Sequence, residues 1–200
     1  NIGTDTANVF RNNLIKHGTY NIEYHGTSLG SEKGTIIEGN VFDSAYNSAV
    51  LISYNRGIIV RNNTFNNIRN ATTANFDLQL RNCDGALYVG ENLFYDRNTD
   101  YSISYESCAT SKSKPAITAN NFFAKNNGTA INIDGVTNHY VAFNSFRIRG
   151  TSNSNVAIAT TTSTSSGISL LNNNISMAAG KAYQIESAGH VSESNYNNFD

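Results

Sequence analysis

An asparagine recurs at eight positions, Asn13, Asn40, Asn63, Asn92, Asn121, Asn144, Asn173 and Asn197, with successive spacings of 27, 23, 29, 29, 23, 29 and 24 residues. Two residues after each stands Ile15, Phe42, Phe65, Phe94, Phe123, Phe146, Ile175 or Phe199. Three residues before each stands Phe10, Ile37, Val60, Val89, Thr118, Val141, Leu170 or Ser194, so only Thr118 and Ser194 break an otherwise apolar row. The chain holds 32 asparagines in 200 residues, too few to produce eight such matches in register by accident. A polar amide fixed between two side chains that seek burial needs a partner that recurs with it.

Each unit also carries a second alternating segment: NIEYH (21–25), AVLISYN (49–55), NFDLQLRN (75–82), SISYE (102–106), AINID (130–134), VAIAT (156–160) and AYQIE (182–186). Apolar residues at every other position mark strands with one buried face. A unit of about 25 residues with at least two strands and no helical stripe fits one coil of a parallel β-helix, whose equivalent residues stack roughly 4.8 Å apart. Stacking answers the need of the asparagine, because each amide can donate to the copy on one side and accept from the copy on the other. Asparagine also tolerates the left-handed backbone that a sharp bend demands, so the bend is expected at the repeated residue itself.

Composition narrows the function classes. Charged residues make up 14%, the net charge is -1, and no basic run occurs, which excludes the electrostatic footprint of a nucleic-acid binder. No apolar run approaches the roughly 20 residues of a membrane span. The first residues, NIGTDTANVF, lack the basic start and apolar stretch of a signal peptide.

The repeated V-x-x-N-x-F pattern, from about Phe10 to Phe199, resembles the right-handed parallel β-helix superfamily of pectate-lyase-like proteins, whose coils carry such an asparagine ladder. The resemblance implies an all-β, right-handed, single-stranded parallel β-helix of about eight coils over residues 1–200. It implies little about activity, since that superfamily holds lyases, hydrolases, epimerases, tailspikes and adhesins. The chain opens inside one coil and closes inside another without a capping helix, so it is expected to be a segment of a longer solenoid. The polygalacturonase set of NTD, DD, G-H-G and R-I-K is absent, Arg147 to Arg149 reading RIR alone. The calcium-binding Asp cluster of pectate lyases and the Y-G-x-D-P-H motif of alginate epimerases are also missing, so no catalytic residue transfers.

Chemistry is therefore sought on the outward rows of the second strands. One row aligns as His25, Asn55, Arg81, Glu106, Asp134, Ala159 and Glu186; its neighbour aligns as Glu23, Ser53, Gln79, Ser104, Asn132, Ala157 and Gln184. Arg81, Glu106 and Asp134 on consecutive coils are the catalytic candidates, with Gln79, Asn132, Asn55 and His25 as substrate-binding candidates. Two carboxylates near the roughly 5 Å separation of retaining glycosidases would raise one another's affinity for a proton. The same pair could hold Ca2+ with oxygens of Asn132 or Ser104, although no metal motif supports it. The competing reading is a solvated Arg81–Glu106 ion pair beside an exposed Asp134.

His17, His25, His139 and His190 share no spacing and are expected in loops or on the surface. Tyr46 and Tyr95 are expected in or near loops, where ligand contact is open to them. Cys83 and Cys108 align on adjacent coils and are either an intercoil disulfide, implying an oxidising compartment, or two stacked free thiols. Two functions remain in view. One is an extracellular β-helix, bacterial or phage in origin, that binds and processes a polysaccharide or cell-surface glycan along its outward sheet. The other is a non-enzymatic shaft of a surface protein or tailspike.

Overall fold

A computed structural model describes residues 5–29, 32–66, 75–96, 99–162 and 164–200. The chain winds as a parallel β-solenoid of about seven turns, the number of intervals that eight ladder asparagines delimit. Each turn contributes to three sheets. Sheet 1 holds Val9–Arg11, Ile36–Glu38, Ile59–Arg61, Leu87–Gly90, Ala116–Ala119, Thr137–Ala142, Ser166–Leu171 and Val191–Asn195. Sheet 2 holds Thr64–Asn66, Leu93–Asp96, Phe122–Lys125, Ser145–Ile148, Asn174–Met177 and Asn198–Phe199; sheet 3 holds Phe76–Arg81, Tyr101–Glu106, Thr129–Asp134, Val156–Thr161 and Lys181–Ile185. In the first two coils Leu14–His25 and Val41–Ser53 run from sheet 2 into sheet 3 without a loop, bending where His17 and Ser44 adopt φ of 54° and 58°.

The connections after sheets 2 and 3 absorb the uneven spacing of the repeat. From Asn121 to Asn144 they are 126–128 and 135–136; from Asn92 to Asn121 the second lengthens to 107–115. The corner between sheets 1 and 2 stays constant, because there the asparagines interlock. The backbone N and Nδ2 of Asn63 both donate to Oδ1 of Asn92, at 2.9 and 3.0 Å, and Oδ1 of Asn63 receives the same pair of bonds from Asn40. The remaining Nδ2 hydrogen points at Ile37 O and Arg61 O, both 2.9 Å away. The side-chain contact repeats at 3.0 to 3.1 Å along the whole series, ending at Asn173 to Asn197.

The left-handed residue is not the ladder asparagine, as expected, but the one before it. Asn12, Gly39, Asn62, Glu91, Asn120, Phe143, Asn172 and Tyr196 all have φ between 51° and 65°. The bend is thus made one residue early, and the ladder asparagine follows it aimed inward with its amide free to pair along the stack. At Phe143 a bulky residue accepts the conformation at a cost of about 1–2 kcal/mol, whereas asparagine is the non-glycine residue that adopts it most readily.

The apolar rows stack in register. Phe10, Ile37, Val60, Val89, Thr118, Val141, Leu170 and Ser194 pair in series on sheet 1. On sheet 2, Phe65, Phe94, Phe123 and Phe146 lie face to face, with centroids 4.7 to 4.8 Å apart and planes within 6°. Each such pair contributes about 0.5–1.5 kcal/mol beyond its burial.

The break in that row at Thr118 has a structural counterpart. Thr118 Oγ1 lies 2.6 Å from Tyr105 OH and 2.8 Å from His139 Nε2, and the His139 ring packs edge-on against Tyr105 at 4.6 Å. His139 is fully buried, and His190 is also buried with Nδ1 at 3.0 Å from Thr160 Oγ1. The expectation that all four histidines sit in loops or on the surface fails for these two. Desolvation lowers the His139 pKa to about 3 and raises that of the Tyr105 hydroxyl. Cys83 and Cys108 are buried free thiols rather than a disulfide: Cys83 Sγ donates to Arg81 O at 3.3 Å and Cys108 Sγ to Leu80 O at 3.4 Å. A hydrogen bond to Cys108 and then burial push the Cys83 thiol up.

Asn63→Leu removes donors from two carbonyls and an acceptor from Asn40 in a dry corner, and is expected to lower unfolding free energy by about 1–3 kcal/mol in urea titration. For His139 the unfolded chain takes a proton below its ordinary pKa of 6.5 that the folded chain takes only near 3. Its contribution is complete above pH 6.5 and declines on acidification by about 1.4 kcal/mol per unit; His139→Gln should flatten that slope in melts across the same window. Both thiols should ignore a thiol reagent in the native state and react after denaturation. An intact mass short of two hydrogens would contradict the free-thiol assignment.

Candidate functional site

Sheet 3 places side chains by strict register. His25, Ser53, Arg81, Glu106, Asp134 and Thr161 are partners in series, and beside them run Glu23, Leu51, Gln79, Ser104, Asn132, Ala159 and Gln184. Two coils differ from the sequence alignment by two residues in both rows: Ser53 and Leu51 stand in place of the expected Asn55 and Ser53, and Thr161 and Ala159 in place of the expected Ala159 and Ala157. The strand Val41–Ser53 ends before Tyr54, whose φ of 55° turns the chain inward. Asn55 therefore lies beyond the bend, fully buried, with Nδ2 donating to Thr35 Oγ1 at 2.8 Å. Its equivalents are Cys83 and Cys108, each directly before the bridged residues Arg56, Asp84 and Ala109. Asn55 is a core residue and is withdrawn as a ligand contact.

Arg81, Glu106 and Asp134 do form a contiguous outward patch, but its members are not equally free. Glu106 is shared out: Oε2 takes Arg81 Nε at 2.6 Å, and Oε1 takes Gln79 Nε2 at 2.6 Å and Ser104 Oγ at 3.4 Å. Asn132 continues the strip, donating to Ser104 Oγ at 3.3 Å and accepting from Thr161 Oγ1 at 3.5 Å. Gln79, Ser104 and Asn132 are buried, whereas the Arg81 side chain remains 47% exposed. Asp134 is half-buried, and among the described residues no side chain donates to its carboxylate. His25 stands apart. Its Nδ1 contacts Ser53 Oγ and its Nε2 lies 2.9 Å from Glu23 Oε1, three coils from Glu106, or about 14 Å at the interstrand spacing.

The donor chemistry argues against calcium here. Two N–H groups face Glu106, and among the described residues no three His, Cys, Asp or Glu side chains gather as a metal site. A two-carboxylate acid–base pair likewise has one open member, Asp134, because Glu106 is occupied by its neighbours.

A second surface lies on the outer face of sheet 2. A groove of about 400 Å³ is lined by Asn66, Tyr95, Phe122, Ala124, Lys125, Asn126, Arg147 and Arg149. Tyr95 and the RIR tripeptide were singled out separately in the sequence, and winding brings them together. Tyr95 and Tyr46, both 43% exposed, lie within strands rather than loops. No sequence signal joined Tyr95 to Arg147, because their common row depends on the lengths of two intervening connections.

No family model matches this sequence, and no curated protein matches it. Among solved structures, the A-module of mannuronan C-5 epimerase AlgE6 from Azotobacter vinelandii is similar, with a TM-score of 0.55 and 14% identity over 98% of this chain. The chain spans 58% of that structure's length. At this identity the likeness shows the fold, a parallel β-helix.

Proposed function

We propose that this chain is an extracellular β-helix that binds a polysaccharide along the outward side of sheet 3 and acts on it there. The observation that carries this reading is the unbroken polar strip, Gln79 to Glu106, Ser104, Asn132 and Thr161, joined coil to coil by hydrogen bonds beside a carboxylate, Asp134, to which no side chain donates among the described residues. Rows repeating every coil suit an extended polymer, whose units also repeat along one axis. A similar solved structure is named for its action on mannuronan, a polysaccharide, and supports the substrate class. Within this reading Asp134 exchanges the proton, since its oxygens are free to reach a ligand. Arg81 and Glu106 fix the charge beside it; Gln79 and Asn132, buried and bonded within the strip, position Glu106 and Ser104 rather than touch the sugar, and His25, at the far end of the strip, holds a sugar hydroxyl. No helix among the described residues is long and apolar enough to cross a membrane.

One observation favours the second reading, a non-enzymatic shaft. Glu106 satisfies its hydrogen bonds within the sheet, as a structural residue would.

Affinity electrophoresis against acidic and neutral polysaccharides separates the two. Asp134→Asn and Glu106→Gln, checked by melting temperature for an intact fold, are expected to weaken retention by about tenfold, the equivalent of one lost charged hydrogen bond of about 1.4 kcal/mol. Retention equal to the parent in both variants would sink the sheet 3 site and leave the shaft.

A further inference from the structure

We infer that the outer face of sheet 2 is a separate binding site for an anionic sugar, a saccharide unit bearing a carboxylate or a sulfate. The first ground is the state of its arginines. Among the described residues Arg11, Arg56, Arg61 and Arg81 each pair with a carboxylate, whereas Arg147 and Arg149 are exposed and engage none. An unpaired guanidinium presents a planar fork of donors matched to a carboxylate or sulfate edge. Arg147 and Arg149 are two residues apart on one strand line, so both stems leave the same face. The backbone N of Arg149 donates to Lys125 O at 2.9 Å, which extends the pairing of Phe122–Lys125 with Ser145–Ile148 by one residue and fixes that direction.

The second ground is shape. Tyr95, Ala124, Arg147 and Ser176 are register partners on consecutive coils. The alanine methyl leaves a depression between Tyr95 and Arg147, which stand two coils, roughly 10 Å, apart. That span accommodates a sugar ring. Tyr95 lies edge-on to Phe122, with centroids 6.2 Å apart and planes at 61°, so an exposed aromatic surface forms one wall. Beneath the floor Lys125 is buried with Nζ donating to Thr99 O and Oγ1 at 2.7 and 2.8 Å, which holds the base of the depression in place. Asp200, which lines an adjoining groove with both arginines, forms no ion pair with either. An aromatic wall on one side and two open cations on the other define a ligand with an apolar ring face and an anionic edge. Two arginines in a chain of net charge -1 do not amount to a nucleic-acid track.

Titration calorimetry tests the site with three probes: a uronic-acid oligosaccharide, its carboxyl-reduced counterpart, and a sulfated oligosaccharide. The uronate or the sulfated probe should bind the parent, the reduced one should bind at least about tenfold more weakly, and binding should fade as salt approaches 1 M, where screening shortens to about 3 Å. The stronger of the two acidic probes identifies the anion. Arg147→Gln with Arg149→Gln, and Tyr95→Ala alone, should each lower affinity, and melting temperatures should stay level because these side chains point to solvent. Asp134→Asn, on the other sheet, should leave this binding intact, so failure here is distinguishable from failure of the sheet 3 site. Equal binding of the reduced probe, or parent-like affinity in the double arginine variant, would overturn the assignment.

Discussion

A buried amide satisfied by its own copy one coil away is the interaction on which this solenoid depends. From Asn40 onward each ladder asparagine uses both polar atoms of its side chain within the stack, so none of these is left unpaired at the corner between sheets 1 and 2. A slip of one residue would cost two amides their partners and turn every side chain of the following strand to the opposite face. The ladder therefore fixes the rotational phase of each coil against the next. The phenylalanine stack at Phe65, Phe94, Phe123 and Phe146 follows from that phase, and so do the outward rows of sheets 2 and 3.

The interior is not uniformly apolar, and the polar groups that break it meet one another in local pairs, although His139 Nδ1, His190 Nε2 and Asn55 Oδ1 stay without a partner among the described residues. Thr118 occupies an inward site where its neighbours are valines, and the hydroxyl of Tyr105 and the ring of His139 close around it. Thr160 and His190 repeat the arrangement nearer the C-terminal coils. At the bend after sheet 3 the stack changes identity, from Asn55 bonded to Thr35 to the thiols of Cys83 and Cys108 donating to backbone carbonyls. Each is a different solution to one constraint, that a polar atom turned inward must find a partner within a coil or two.

The two lateral faces differ in how far their charges are already spent. On sheet 3 Arg81, Glu106 and Gln79 satisfy one another, leaving Asp134 as the open group in a largely self-contained strip. On sheet 2 Arg147 and Arg149 flank a depression floored by Ala124, and their charge is open to solvent. A rigid scaffold thus presents one nearly neutralised lattice and one cationic groove without any change in the coil that carries them.

The repeat by itself determined the solenoid, because period-two apolar segments and a recurrent asparagine at fixed offsets admit no other way to satisfy that amide eight times. It also placed Arg81, Glu106 and Asp134 on consecutive coils, since their strands are short and of equal parity. It misplaced Asn55, because alternation carried past the end of a strand does not register the left-handed turn at Tyr54. It misplaced His139 on the surface, because inward parity on sheet 1 is visible only once Ala116 and His139 are known to be partners, and it misplaced His190 because a short 3-10 turn, Ala188–His190, turns that ring inward ahead of the last sheet 1 strand. Only the tertiary structure decided which charges are neutralised and which remain open, and only it joined Tyr95 to Arg147. Both depend on which residues meet across coils, and variable connections hide that from any reading along the chain.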